Sequence, residues 1–346
     1  MTNKKAYELD GVSIGFIGKS PLGDAVVYKK VFEALTVLEP NCNIDILCMD
    51  ARARVNAKAF YMGSKNLNNI VDFNNDELPN YDLVLLMESS AILIMQVNLD
   101  RLQNLSPNLY QSVLKLHNYN LKYNMYKKDL PSKALFCATR ARIFKTNRYT
   151  CLACEGALPI YDNKVEINLL PEWKSEFDKL GLKKYITLGS NGGNFNRFLI
   201  KEWSTRYYVE FISLLKSKMP DITIVQIGGG GEEKFKNADK YLIGKDLELL
   251  KYVLKNSLLH VDCEGGPVHL ASQLGTKCLV LLGAIEPDFL KYTQNINIIS
   301  EVCSPCYCVW EDGSKCLLGA KEPPCMLSIT PQKVFDVAYR YLKSIE

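Results

Sequence analysis

The chain has 346 residues, 47% of them hydrophobic and 23% charged, with a net charge of +4 and twelve cysteines. That length suits two domains of ordinary size better than one core, and the composition excludes a disordered or fibrous chain. The mild positive charge permits anionic ligands or a membrane surface, and with no basic stripe and no recognisable motif it gives no ground for nucleic-acid binding.

Residues 1–10 contain no apolar core segment, so a secretory leader is not expected. The longest apolar-rich stretch, 83–97, is broken by Glu88, Ser89 and Ser90. It falls short of the ~20 apolar residues that span a bilayer. A cytoplasmic chain follows as the expectation, with a peripheral contact at the inner membrane left open. Its cysteines then read as reduced thiols or metal ligands, not disulfides.

In chain order, residues 12–17 form a buried strand and 18–23 a loop. Apolar residues at helical spacing, Val27, Val31, Leu35 and Leu38, predict a helix over 24–38 that stops at Pro40. Strands are expected at 44–48, 69–73 and 83–87, so this half is built of βαβ units on a parallel sheet. From 118 to 170 the pattern weakens. Arg140, Arg142, Lys145 and Arg148 make a basic run there. It is either a solvated face or a docking surface for an anionic acceptor.

A second α/β unit begins with a strand at 184–189. A helix over 203–219, a strand at 222–227 closed by four glycines, helices near 233–241 and 246–255, and strands at 258–261 and 278–282 follow. A cysteine-rich loop fills 303–325, and Pro331 opens a last helix. Two Rossmann-like halves with a cleft between them are the simplest architecture. The expected division is 1–172, 173–330 and a closing helix 331–346 that could pack back on the N-terminal domain.

The most telling run is Asp262-Cys-Glu-Gly-Gly-Pro-Val-His-Leu-Ala271. It reads as strand, tight turn, short helix. Gly265 and Gly266 allow a close approach by a ligand, and Pro267 suits the start of a helix. The free amides of such a start make an anion site, and in an α/β sheet this lies at the carboxyl ends of the strands, where ligands bind.

Four motifs, in order, resemble those of glycosyltransferase family 9, the bacterial heptosyltransferases. They are Pro21-Leu-Gly23-Asp24, Lys201-Glu-Trp203, the run Gly228 to Glu233, and Asp262 to Ala271 with His269. The resemblance covers 12–40 and 184–285 well and 60–170 weakly. It implies a GT-B fold and an inverting transfer of a heptose or related sugar from an ADP-sugar to a hydroxyl of a lipopolysaccharide core or a protein. That chemistry needs a base for the acceptor proton and positive charge or aligned amides for the departing diphosphate.

Asp24 fits the base, although Asp at a helix start is also a common cap. Lys201 fits the diphosphate contact. Donor-binding candidates are Gly23, Asn191, Arg197, Glu232, Glu233, Asp262, Gly265, Gly266, Pro267 and His269; one of the two glutamates would hold the ribose diol. Acceptor candidates are Arg140, Arg142 and Arg148. No Mg ion is demanded. The chain departs from the motif at Cys263-Glu264-Gly265, where Glu264 adds negative charge beside the expected diphosphate.

Cys303 and Cys306 have the spacing of a metal knuckle, and Cys316 and Cys325 would complete a four-thiolate site for structural Zn or Fe; an iron-binding cysteine finger is a feature of the protein-modifying members of the family. Cys308 would be spare, and Cys151 and Cys154 are expected to be unliganded. The competing readings are a non-catalytic nucleotide-sugar-binding relative and another GT-B enzyme such as a nucleotide-sugar epimerase.

Overall fold

The computed structural model describes residues 11–18, 21–73, 80–88, 90–127, 133–189, 199–303, 305–306 and 315–346. The chain forms two compact units, 1–168 and 169–346.

In the first unit, β1 (Ser13–Gly18), α1 (Leu22–Leu38), β2 (Asn43–Cys48), α2 (Ala51–Tyr61), β3 (Leu67–Asp72), β4 (Leu83–Glu88) and β5 (Ala91–Val97) are followed by α3 (Leu99–Leu105), α4 (Pro107–Lys122), α5 (Lys133–Phe144) and α6 (Arg148–Leu152). The sheet order is β3-β2-β1-β4-β5. The first four strands are parallel, and β5 returns antiparallel against β4. The apolar stretch 83–97 is thus a hairpin, turned at Ser90 with a φ of 74°. Both faces of β1 are covered, so Ser13, Ile14, Phe16 and Ile17 are all buried, as expected of a strand inside a parallel sheet. The buried Asp82 carboxylate accepts the Ser13 amide at 2.9 Å and hydroxyl at 3.0 Å and the Arg101 Nε at 2.6 Å. It ties the start of β1 to α3.

The second unit runs α7 (Trp173–Asp178), β6 (Tyr185–Leu188), α8 (Thr205–Lys218), β7 (Thr223–Gly228), β8 (Lys240–Ile243), α9 (Leu247–Lys255), β9 (His260–Cys263), α10 (Gly266–Gln273), β10 (Cys278–Leu282), α11 (Pro287–Leu290), β11 (Ile296–Ile299), α12 (Pro324–Leu327) and α13 (Pro331–Ser344). Its sheet, β11-β10-β9-β6-β7-β8, is parallel throughout. Renumbered from β6, this is the 3-2-1-4-5-6 order of a dinucleotide-binding sheet.

One expectation is corrected. The helix expected near 233–241 is absent, and Lys240–Ile243 instead pairs with β7 as the edge strand β8. The closing helix belongs to the second unit, where it packs on α8. The division falls at 168/169, four residues before the expected one. Among the described residues no helix is long and apolar enough to cross a membrane.

Candidate active site

Each sheet reverses its strand order once, between β1 and β4 in the first unit and between β6 and β9 in the second. Ligands of open α/β sheets bind beyond the carboxyl ends of the strands at such points. The candidate residues gather there.

In the first unit, α1 starts straight after β1. Pro21 is its cap residue and makes no side-chain capping bond, so Asp24 is not the N-cap but lies in the first turn. Its Oδ1 accepts a hydrogen bond from Arg148 Nη2. The Asp24 side chain keeps 24% of its exposure while that of Arg148 keeps 9%. Arg148 also donates through Nε to Ser90 Oγ at 2.8 Å, and its guanidinium lies 5.6 Å from the centre of the Tyr28 ring. Burial, and then the Asp24 charge, push the Tyr28 hydroxyl above its ordinary pKa. Arg148, an acceptor candidate, lies nearly buried beside Asp24. Arg140 stacks over Tyr123, Phe136 and Phe144 at 4.9, 5.6 and 5.4 Å and pairs with Glu155. Arg142 is exposed. The basic run therefore does not act as one surface. No sequence signal joins Arg148 to Asp24, because 124 residues separate them.

In the second unit, Lys201 closes the 3-10 turn Leu199–Lys201. Two residues on, Trp203 is buried, its indole N–H donating to Ile329 O at 2.6 Å and its ring edge-on to Tyr208 at 4.8 Å. This anchor fixes the segment that carries Lys201. The Lys201 ammonium meets Glu264 Oε2 at 2.8 Å. Glu264 Oε1 lies 3.1 Å from His269 Nε2, and His269 Nδ1 lies 2.7 Å from the Tyr292 hydroxyl. Burial alone would raise the Glu264 pKa, but the Lys201 charge and the His269 contact outweigh it and hold the carboxyl well below the usual range. The charge that looked repulsive in the sequence is thus neutralised.

Glu264 stands just before Gly265, the cap residue of α10, with Gly266 and Pro267 in the first turn. These three remain part-exposed while Val268 and His269 are buried. The amides at such a start can receive an anion, and Pro267 falls one position later than the first helical residue.

Asp262 is placed differently from Gly265, Gly266 and Pro267. It is fully buried in β9, where Oδ1 accepts the Cys263 amide at 2.8 Å and the Tyr208 hydroxyl at 3.4 Å. Its Oδ2 lies 3.6 Å from His260 Nε2, and neither atom has a hydrogen-bond partner among the described residues. A Cβ at Gly189 would come within 1.8 Å of Asp262 Oδ2, so that position needs glycine. His269 is likewise buried, between Glu264 and Tyr292.

Glu232 and Glu233 part company. Glu232 folds back over the end of β7 and accepts the Gly229 amide at 2.7 Å, and a Cβ at Gly228 would meet its Oε2 at 1.8 Å. Glu233 is exposed and receives the Thr205 hydroxyl at 3.3 Å. Both border a cavity of about 450 Å³ that Glu202, Trp203, Tyr207 and Met326 also line. Burial, and then the Glu232 charge, raise the Glu202 pKa. Asn191, Arg197 and Cys308 lie outside the described residues.

Cys303, Cys306 and Cys316 are half-buried against the core that contains Cys325. Burial pushes the Cys325 thiol up to about 11, and Cys303, Cys306 and Cys316 add to the shift. All four cysteines thus belong to one face of the second unit's core. Among the described residues, however, no group of three or more side chains is arranged to hold a metal ion. Cys151 and Cys154 are buried beside Cys137, whose carbonyl accepts the Cys151 thiol at 3.5 Å.

No family model and no curated protein sequence matches the chain. Solved structures do, over nearly its full length. The ADP-heptose lipopolysaccharide heptosyltransferase II of E. coli is 14% identical, with 96% of this chain and 100% of that one covered and a TM-score of 0.60. A glycosyl transferase family 9 protein of Veillonella parvula is 14% identical, covering 97% and 98%, with a TM-score of 0.61. The iron-containing dodecameric glycosyltransferase TibC of enterotoxigenic E. coli is 12% identical, covering 97% of this chain and 77% of that one, with a TM-score of 0.63. At these identities the likeness is one of fold. The two α/β units are those of a GT-B fold.

Proposed function

We propose that this chain is an inverting glycosyltransferase that moves a heptose or related sugar from an ADP-sugar to a hydroxyl of a lipopolysaccharide core or a protein. The observation that carries the reading is the pair of switch points. One holds a part-exposed carboxylate, Asp24. The other holds a cation, Lys201, beside the open start of α10. These are the two kinds of group the transfer needs.

Asp24 takes the acceptor proton as the hydroxyl oxygen attacks the anomeric carbon. The bond from that carbon to the phosphate oxygen breaks, and the diphosphate leaves with the electron pair. Lys201 and the amides of Gly265 and Gly266 neutralise it, so no divalent ion is required. Glu264 and His269 hold Lys201 in place. Glu232, at the end of β7, receives the ribose hydroxyls. Cys303, Cys306, Cys316 and Cys325 offer the soft donors of a structural Zn or Fe site, which would cross-link the 303–325 loop to the core and take no part in the transfer. The reading carries with it a cytoplasmic location, with peripheral contact at the inner membrane if the acceptor is a lipid.

The test is ADP release from ADP-heptose, with and without candidate acceptors. Acceptor-dependent release that Asp24→Asn and Lys201→Ala each abolish supports the transferase. ADP binding with no release from any nucleotide sugar overturns it.

A further inference from the structure

The base assignment leaves Arg148 unexplained. It is a nearly buried cation, and its guanidinium forks between two partners. Nη2 holds Asp24 Oδ1 and Nε holds Ser90 Oγ at 2.8 Å. A planar fork of this kind fixes direction as well as charge, which a lysine cannot reproduce. Its second partner is itself constrained. Ser90 turns β4 into β5 with a φ of 74°, a conformation that residues other than glycine adopt only when their surroundings impose it. Those surroundings are visible. The Ser90 amide donates to the Tyr28 hydroxyl at 3.3 Å, and its carbonyl accepts the Cys137 thiol at 3.7 Å. Tyr28 belongs to α1, one turn on from Asp24, and Cys137 to α5.

We propose that Arg148 is the positioning residue of Asp24, with Ser90 as its anchor. The inference rests on reading Asp24 as the base. Arg148 occupies Oδ1 and leaves Oδ2, which takes no hydrogen bond among the described residues, turned to the acceptor proton. The strained Ser90 turn, tied to α1 and α5, sets where the guanidinium can stand. The carboxylate is thereby fixed by a chain of contacts from α6 through the β4–β5 turn, and not by capping its own helix.

The experiment compares wild type with Arg148→Gln, Arg148→Lys and Ser90→Ala in acceptor-dependent ADP release, alongside ADP affinity by calorimetry and thermal unfolding. Misplacing a reacting group by about 1 Å costs up to roughly a hundredfold in rate. Arg148→Gln should therefore lower kcat by about that order while ADP affinity stays unchanged. Arg148→Lys, which keeps the charge and loses the fork, should recover part of the rate. Ser90→Ala keeps the Arg148 side chain and its charge and removes only its anchor, so it serves if Arg148→Gln does not fold; a lower kcat with unchanged ADP affinity is expected. Wild-type kcat in Ser90→Ala and Arg148→Gln, or Arg148→Lys no faster than Arg148→Gln, overturns the proposal and leaves the transferase intact. A wild type that releases no ADP with any acceptor overturns the transferase reading first, and this proposal with it.

Discussion

The Lys201 ammonium sits 2.8 Å from the Glu264 carboxylate, with both side chains largely withdrawn from water. Removing one partner of a buried pair leaves the other charged and uncompensated, at a cost of about 3–5 kcal/mol. Glu264→Gln should therefore destabilise the second unit by about that amount at pH 7. The Glu264 pKa is depressed by folding, so its contribution is complete above the ordinary carboxylate range, near pH ~4.3, and is lost as pH falls below it. Denaturant unfolding of wild type and Glu264→Gln at pH 7 and pH 3 should give a stability difference that is full at neutral pH and smaller at pH 3, because the contribution is lost progressively as pH falls toward the depressed folded-state pKa. A constant difference would contradict the ion pair.

Gly189 faces Asp262 so closely that an added Cβ would lie 1.8 Å from Oδ2. Gly189→Ala should cost about 1–3 kcal/mol, as overpacking does. Asp262→Ala introduced in the same chain should return part of that loss. Urea denaturation midpoints of the two single variants and the double decide it. Simple addition of two losses would mean that the carboxylate is not what excludes the side chain.

Glu232 and Glu233 are adjacent in sequence and differ in placement. Hydrogen bonds to a charged group contribute about 1.5–3 kcal/mol, so loss of the ribose contact should weaken ADP binding by about ten- to a hundredfold. That loss is expected for Glu232→Ala and not for Glu233→Ala. Calorimetric titration with ADP separates them, and equal effects would remove the ribose assignment.

If Cys303, Cys306, Cys316 and Cys325 close on a metal, as the proposed function has it, elemental analysis of freshly purified protein should give one Zn or Fe per chain. Cys306→Ser should abolish it, and Cys151→Ser should not. Structural metal binding adds directly to folding free energy, so a chelator should lower the Tm of wild type and leave that of Cys306→Ser unchanged. A metal-free wild type with an undisturbed fold would show that the cysteines only pack.

Local signals carried part of this architecture. The apolar run at 12–17, the helical spacing of Val27, Val31 and Leu35, and the strand at 278–282 each appear as the pattern required. Where the pattern misled, a distant partner decided. Residues 240–243 become strand because β7 offers them an edge, and pairing of that kind overrides weak local preference. The 83–97 stretch becomes a hairpin because Ser90 accepts a positive φ, which no propensity for serine announces.

The sequence by itself determined the two α/β units and marked the glycine-proline turn that opens α10. Those are properties of neighbours along the chain, where turn chemistry and periodicity act. Only the tertiary structure decided that Asp262 lies buried in β9, that Glu264 meets Lys201 across 63 residues, and that Arg148 reaches Asp24 across 124. Charge pairing depends on distance in space and on the exclusion of water, and neither is written in the order of residues.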